Sequence, residues 1–243
     1  MIKITQKLLL ISLLHTQIFS LPEGFSYIDD IIPDIKVNLK YFSDDNFVGN
    51  PVLGYNKNVA VMTTYAVYAL KKAQEMFKAD GYEILIYDAY RPQRAVEYFN
   101  LWMKNNDTRR KKYHYPHIKN KTDMAGLYIG TKSGHSRGST VDMTLIKKGS
   151  GYMEKSQYQE RYFNDELYPY LFDNSVDCGT SFDLMDPISH GNSSYVSEEH
   201  KKMRNYIKSV MERCGFKALE EEWWHFTLKN EPFPDTYFDF PVE

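Results

Sequence analysis

Cysteine is scarce in this chain of 243 residues, which contains only Cys178 and Cys214. A closed structural zinc site usually takes four protein ligands with thiolates among them, so this composition does not favour one. In an oxidising compartment the two cysteines could pair. Because Cys214 lies on the apolar face of a predicted helix, a buried free thiol is an equal alternative.

An excess of positive charge is also absent. The chain has 30 lysines and arginines against 32 aspartates and glutamates, which gives a formal net charge of −2 with neutral histidines. No basic patch is visible along the sequence. Binding to nucleic acid depends on clustered positive charge, so we do not expect a nucleic acid partner.

Near the N-terminus, the apolar run is too short to span a membrane. Leu8 to Leu14 follows Lys3 and Lys7, whereas a membrane span requires roughly 20 apolar residues. A basic start followed by a short apolar core is typical of a secretory signal peptide. We therefore expect residues 1–20 to be a signal peptide and residues 21–243 to be periplasmic or secreted, without stable membrane insertion. An amphipathic tail is the alternative.

Internal repeats, low-complexity tracts and long linkers are missing after residue 20, and the length suits one well-buried core. Helical and strand periodicities alternate without a regular strand-helix-strand rhythm. The sequence therefore predicts one α+β domain, with a small, mostly antiparallel sheet flanked by helices. The predicted helices cover residues 62–79, a segment starting at residue 92, and residues 197–214, and the predicted strands cover residues 82–90, 139–145 and 222–228.

Two of the predicted strands carry polar residues on one face. In "STVDMTL" the alternation places Asp142 with Thr140 and Thr144, which predicts a half-buried strand with Asp142 on its polar side. In "EWWHFTL" the residues His225 and Thr227 share a face. A turn containing His135 comes just before the first of these strands, so a histidine and an aspartate lie seven residues apart.

Convergence of His135, Asp142 and His225 would produce an open catalytic zinc site. Two imidazoles and a carboxylate, with water in the fourth place, are the ligand set of such a site. Zinc lowers the pKa of that water to about 7, so a nucleophile is available at neutral pH. Four other histidines remain alternatives for the ligand places: His114, His117, His190 and His200.

A base and a cation complete the hypothesis. Glu222, three residues before His225, could take the proton of the water and pass it to the leaving amine. This role requires a bend at Trp223 or a base held on the preceding turn, because a straight strand would place the two residues on opposite faces. Arg91, at a strand-to-helix junction, could stabilise the oxyanion, although it could instead simply pair with Asp88.

Several motifs together resemble a known family. These are "KYFSDDNFVGNPVLGY", "YDAYRPQRAV", "SGHSRGSTVDMTL", "FDLMDPISH", "EEWWHF" and "YFDFPV". They look like the D-alanyl-D-alanine dipeptidases, the VanX-type zinc enzymes, within a wider group that includes zinc D,D-carboxypeptidases and Hedgehog-like domains. The resemblance extends from about Leu21 to Val242.

The resemblance implies one zinc ion per chain and a small dipeptide as substrate. The expected function is zinc-dependent hydrolysis of D-Ala-D-Ala to D-alanine, outside the inner membrane in peptidoglycan turnover. A zinc D,D- or L,D-carboxypeptidase that trims stem peptides is the alternative, and a Hedgehog-like binding domain is a third. Residue by residue, the resemblance implies that zinc is bound by His135, Asp142 and His225. It implies that Glu222 is the catalytic base and that Arg91 stabilises the transition state. It also implies that Ser133, Tyr41 and Asp183 help to hold the two ends of the dipeptide.

Two features depart from that family. Residues 146–177 form a longer connection than we expect, which could be a lid over the cleft or a surface elaboration. The expected signal peptide is the second departure, because the resistance-type enzymes act in the cytoplasm.

Overall fold

The computed structural model describes residues 20–243, so the signal peptide prediction for residues 1–20 falls, apart from Ser20, outside the described residues. The α-helices are α1 (Ile28–Ile31), α2 (Thr64–Ala79), α3 (Gln93–Met103), α4 (Lys111–His114) and α5 (Glu198–Arg213). The strands are β1 (Phe25–Tyr27), β2 (Lys36–Val37), β3 (Val61–Thr63), β4 (Tyr82–Asp88), β5 (Thr140–Lys147), β6 (Gln157–Phe163), β7 (Glu166–Phe172), β8 (Phe216–Ala218) and β9 (His225–Leu228).

A five-stranded sheet forms the centre of the fold, in the order β2-β4-β5-β9-β8. Only the β2–β4 pair is parallel, and the other three pairs are antiparallel. Two small antiparallel pairs, β1–β3 and β6–β7, complete the described strands. The prediction of an α+β domain with a mostly antiparallel sheet and flanking helices is confirmed.

Helices α2 and α5 follow the predicted apolar periodicity. The buried residues of α2 include Ala66, Leu70, Ala73 and Phe77, which lie three or four residues apart and so share one face. Gly81, with φ +86°, follows the helix at the position where a left-handed residue commonly ends one. Both helices therefore cover the sheet with an apolar stripe, α2 against β4 and α5 against β8.

Strand β5 is buried on both faces, so the prediction of a half-buried strand is wrong. Thr140, Asp142 and Thr144 are each at most 2% exposed. The polar face is not turned to water, because protein groups contact it: the hydroxyls of Thr140 and Thr227 lie 2.9 Å apart. Alternation of polar residues reported the chemistry of this face correctly but not its solvent exposure.

The segment 146–177 contains a regular hairpin where the sequence suggested a loop. Strands β6 and β7 pair from Gln157↔Phe172 to Phe163↔Glu166. Asn164 and Asp165 between them both have positive φ, 49° and 64°. Two successive left-handed residues form the two-residue turn that matches the twist of a hairpin, and Asn and Asp tolerate this conformation.

The cysteines do not pair. Cys178 is a buried free thiol, and Cys214 is a partly buried free thiol whose Sγ lies 3.7 Å from Met76 Sδ. Of the two alternatives left open by the sequence, the structure therefore has the free thiols. Among the described residues, no helix combines the length and the apolar character that crossing a bilayer requires.

Candidate metal centre

A tight turn that precedes β5 contains His135. Ser133 caps a short 3₁₀ turn, Gly134–Arg137, by accepting a hydrogen bond from the backbone N–H of His135 (3.2 Å). The turn ends at Gly138, whose φ is +80°. A Cβ there would lie 2.2 Å from the ring of Phe25, so both the backbone conformation and the close approach require glycine.

Asp142 and His225 face each other across neighbouring strands. They are direct partners in the antiparallel register of β5 and β9, which places their side chains on the same face of the sheet. Trp223 and Trp224 form a turn just before β9, and the N–H of His225 donates to the carbonyl of Glu222 (3.2 Å). The bend that the assignment of Glu222 required is therefore present.

Three possible ligand atoms converge at one point. Asp142 Oδ2 lies 3.2 Å from His135 Nε2, Asp142 Oδ1 lies 2.9 Å from His225 Nδ1, and the two imidazole nitrogens are 3.3 Å apart. The three residues could hold a metal ion, with their ligand atoms all within 4.8 Å of one another. Zinc bonds of about 2.0–2.1 Å in a tetrahedron imply ligand atoms about 3.3 Å apart, so the set fits such an ion.

Neighbouring groups prepare these atoms for a cation. His135 Nδ1 lies 2.7 Å from the carbonyl oxygen of Ala89, which accepts its hydrogen and leaves Nε2 with a free lone pair. Burial acts to raise the pKa of Asp142, but His135 and His225 outweigh it and the pKa lies well below the ordinary value. Asp142 Oδ1 is buried without a hydrogen bond of acceptable geometry within the described part of the chain, an arrangement that a bound cation would satisfy.

Arg91 lies between two carboxylates. Its Nε and Nη2 atoms are both 2.8 Å from Asp88 Oδ2, and Nη2 is 3.6 Å from Asp142 Oδ2. The pairing with Asp88 considered as a simple alternative therefore exists, but it holds the guanidinium at the metal centre. Asp88 is fully buried and accepts a second hydrogen bond from the hydroxyl of Tyr55 (2.6 Å).

Glu222 lies beside the proposed ligands rather than among them. Its Oε2 is 3.5 Å from His225 Nδ1. Burial raises the pKa of Glu222 to about 7; the charge of Asp142 acts in the same direction, and those of His225 and Arg91 oppose it. A carboxyl group with such a pKa can both accept and release a proton near neutral pH.

Asp183 and Tyr41 form a second polar point in the same cleft. The hydroxyl of Tyr41 donates to Asp183 Oδ2 (2.8 Å). Burial, assisted by the charge of Asp142, holds the pKa of Asp183 well above its ordinary value. Asp183 also has a left-handed backbone with φ 56°, a conformation that is uncommon for residues other than glycine and often found at functional sites.

The eight residues that the resemblance assigned to the site line one cleft with a volume of about 230 Å³. They are Tyr41, Arg91, Ser133, His135, Asp142, Asp183, Glu222 and His225. No residue of the segment 146–177 lines this cleft. The hairpin β6–β7 therefore does not line the cleft in this structure.

The four histidines considered as alternative ligands lie outside the ligand cluster. His114 is buried and contacts Arg110 and the backbone of Asp183. His117 pairs with Asp186 at 2.7 Å, and His200 lies 3.3 Å from Asp177. His190 supplies a backbone carbonyl that accepts from Arg204 (2.7 Å).

Sequence reasoning missed the apolar wall of the cleft and the importance of Asp88. The wall includes Leu127, Tyr128, Ile129, Met185 and Leu219, which come from three distant segments. No local pattern marks such residues, since they meet only in the folded chain. Asp88 had a usable signal, because a buried acid directly before "AYRP" needs a cationic partner.

The chain is similar in sequence to a family of known proteins. The sequence pattern of the peptidase M15 family, described as D-ala-D-ala dipeptidase, matches residues 22–155 and 170–243. The chain is 39% identical to a D-alanyl-D-alanine dipeptidase of Streptomyces coelicolor over 90% of this chain and 98% of the relative. It is 38% identical to a dipeptidase of the same name from Enterococcus faecium and 34% identical to one from Enterococcus faecalis, each over 90% of this chain and 98% of the relative. The unmatched residues 156–169 lie in the hairpin region.

Proposed function

This chain belongs to the peptidase M15 family of D-Ala-D-Ala dipeptidases, and from that premise we propose that it hydrolyses D-Ala-D-Ala to D-alanine with the help of zinc. Peptidases of this family depend on a metal ion. The observation that carries the proposal is the convergence of one carboxylate and two imidazoles within 4.8 Å. Nitrogen and oxygen ligands in an open set of three are typical of catalytic zinc.

His135, Asp142 and His225 would hold the metal ion. Zinc, when bound, supplies Lewis acidity that activates water and polarises a carbonyl group. The backbone carbonyl of Ala89 orients His135 for this role through its 2.7 Å contact with Nδ1.

Glu222 would act as the general base and then the general acid. Its carboxylate takes the proton of the attacking water and delivers it to the amine that leaves when the peptide bond breaks. Arg91, held by Asp88 at 2.8 Å, presents a fixed positive charge where the carbonyl oxygen gains negative charge. Because Asp88 holds it in place beforehand, little reorganisation is needed during the reaction.

The two charged ends of a dipeptide would be held by separate groups. Asp183, buried and hydrogen-bonded to Tyr41, offers a carboxyl group whose ionised form the substrate ammonium would stabilise, and Ser133 offers a hydroxyl near the other end. A cleft of about 230 Å³ is small compared with the pockets that take larger ligands. A longer peptide would leave Asp183 buried without its ammonium partner, which disfavours its binding.

The test compares free D-Ala-D-Ala with a pentapeptide that ends in D-Ala-D-Ala. We expect the zinc-loaded protein to release D-alanine from the dipeptide and to leave the pentapeptide nearly intact. L,D- and L,L-dipeptides in the same screen establish the stereochemical preference. Efficient release of D-alanine from the pentapeptide would instead identify a carboxypeptidase.

We also propose that the enzyme acts outside the inner membrane, in the turnover of peptidoglycan. The support is Lys3, Lys7 and the apolar run that follows them, together with the start of the family match only at residue 22. Cell fractionation with an antibody to the mature chain tests this location. Recovery of the uncleaved protein in the cytosol would overturn it.

A further inference from the structure

The backbone around Asp183 is held by a residue that takes no direct part in the cleft. The carbonyl oxygen of Asp183 lies 3.1 Å from His114 Nδ1. Two residues later, the N–H of Met185 donates to the carbonyl of His114 (2.7 Å). The side chain and the backbone of His114 therefore fix both ends of the segment 183–185, which contains the left-handed Asp183.

The contacts of His114 determine where its hydrogen lies. Nε2 is 3.0 Å from Arg110 Nη2. A guanidinium can only donate, so Nε2 must accept and Nδ1 must carry the hydrogen that is donated to Asp183. Burial, assisted by the charge of Arg110, lowers the pKa of His114 to about 3, so the ring is neutral near physiological pH.

Arg110 is itself fixed by contacts on its other side. Its Nε donates to the carbonyl of Asn46 (2.8 Å), and Nη2 lies 3.7 Å from Asp45 Oδ1. The guanidinium also lies 5.0 Å from the ring centre of Tyr113. An anchored donor keeps the imidazole in one tautomer and one orientation.

We propose that His114 is a positioning residue that sets the affinity for the substrate ammonium by holding Asp183 in its left-handed conformation. This proposal rests on the proposed function, in which Asp183 receives the ammonium. His114 was considered from the sequence only as a rival metal ligand, and its contacts assign it a different role. It acts through the backbone of Asp183, 69 residues away in the chain.

Two amide substitutions separate the contacts of His114. In His114→Asn the amide nitrogen occupies nearly the place of Nδ1 and can still donate to Asp183. In His114→Gln the amide reaches the place of Nε2 and can accept from Arg110, but the donor to Asp183 is lost. The two variants thus have similar polarity and differ in which partner they keep.

We expect His114→Gln to raise the KM for D-Ala-D-Ala by about two- to tenfold, the range of one net hydrogen bond, with zinc content and kcat near those of the wild type. His114→Asn should keep a KM close to the wild type. N-acetyl-D-Ala-D-Ala, which lacks the ammonium, is the second probe. The preference for the free dipeptide is the ratio of its kcat/KM to that of the acetylated dipeptide. In His114→Gln this ratio should fall by the same factor by which the KM for D-Ala-D-Ala rises.

The outcomes distinguish this inference from the proposed function. A wild-type protein that does not cleave D-Ala-D-Ala contradicts the proposed function. A wild-type protein that cleaves it, with unchanged KM and unchanged preference in folded His114→Gln, contradicts the role of His114 alone. Equal changes of KM in His114→Gln and His114→Asn would also contradict the role of His114. If either variant is recovered unfolded, Arg110→Leu, which removes the donor that holds the ring of His114 in one tautomer, should raise KM in the same direction, and an unchanged KM there overturns the inference.

Discussion

Two largely buried polar clusters lie close to Asp183, and they differ in how their polar atoms are satisfied. The support cluster, which consists of Lys40, Asp45, Arg110, His114 and Ser156, contains no buried side-chain nitrogen or oxygen without a hydrogen bond. In the metal centre, by contrast, Asp142 Oδ1 has none, and three ligand atoms point at one another. A closed network stabilises a conformation, whereas converging ligands need a further partner. The contrast indicates which cluster binds and which supports.

Removing a ligand from the metal centre should have the largest effect. His135→Ala and His225→Ala should each lose both bound zinc and turnover, because two remaining ligands hold the ion poorly. Elemental analysis after dialysis and a D-alanine release assay measure the two properties. His117→Ala, a change in a histidine that pairs with Asp186 away from the ligands, is the matched control and should retain both. Full zinc content in His135→Ala would contradict the assignment of His135 as a metal ligand.

Replacing the proposed base, Glu222, should impair catalysis while metal binding is retained. Glu222→Ala should keep its zinc and lose about 100- to 10,000-fold in kcat, the usual contribution of a positioned acid or base. Glu220→Ala alters an exposed neighbour of the same acidic run and should leave kcat unchanged. A Glu222 variant with most of its activity would show that another group moves the proton.

Replacing the cation at the edge of the metal centre should have a smaller effect. Arg91→Lys keeps the charge but cannot reproduce the contacts of the planar guanidinium with Asp88 and Asp142. We expect kcat to fall by about 100-fold, near the lower limit for loss of one oxyanion donor, with zinc retained. Steady-state kinetics with parallel metal analysis test this. An equal loss of zinc would mean that Arg91 maintains the ligands rather than the transition state.

The metal centre could be predicted from the sequence far better than the support cluster. His135, Asp142, His225 and Glu222 belong to residue types whose chemistry is restrictive, and the turn at Trp223 was foreseen as a requirement. The contact of His114 with Asp183 could not be foreseen, because it joins residues 69 positions apart through a backbone carbonyl. Any residue can supply such a carbonyl, so composition carries no signal for it.

The helices and strands also differ in how well the sequence predicted them. Apolar spacing located α2 and α5 to within two residues at each end, since a helix buries a stripe with a regular period. The burial of both faces of β5 was missed, because alternation reports polarity and not what covers a face. Within residues 146–177, the hairpin turn at Asn164 and Asp165 offered a local signal in residue types that tolerate positive φ.

Replacing Asp45 in the support cluster should reduce the stability of the protein without affecting metal binding. Burial acts to raise the pKa of Asp45, but Lys40 and the hydrogen bonds from Lys40 and Ser156 outweigh it and lower the pKa from 3.8 to about 2. A folded pKa below the unfolded one contributes stability that is present above about pH 4 and is lost as the pH falls towards 2. Asp45→Asn should therefore reduce the free energy of unfolding at pH 7 by about 2 kcal/mol.

Urea unfolding of both proteins between pH 7 and pH 2 measures this contribution. The difference between wild type and Asp45→Asn should narrow as the pH falls below about 4. Zinc content should be the same in both, because Asp45 does not line the cleft. A difference independent of pH would mean that the carboxylate charge is not what stabilises the support cluster.

Replacing Asp44, the neighbour of Asp45, should have the smallest effect on stability. The comparison with Asp45 shows how much burial adds to the strength of an ion pair. Its Oδ2 lies 3.2 Å from Lys155 Nζ, but the two side chains are 58% and 73% exposed. Water and salt screen such a pair, so Asp44→Asn should change the free energy of unfolding by less than about 0.5 kcal/mol. The same urea experiment at low and high salt tests this. Losses of equal size in the Asp44 and Asp45 variants would contradict the contrast between an exposed pair and a buried, fully hydrogen-bonded one.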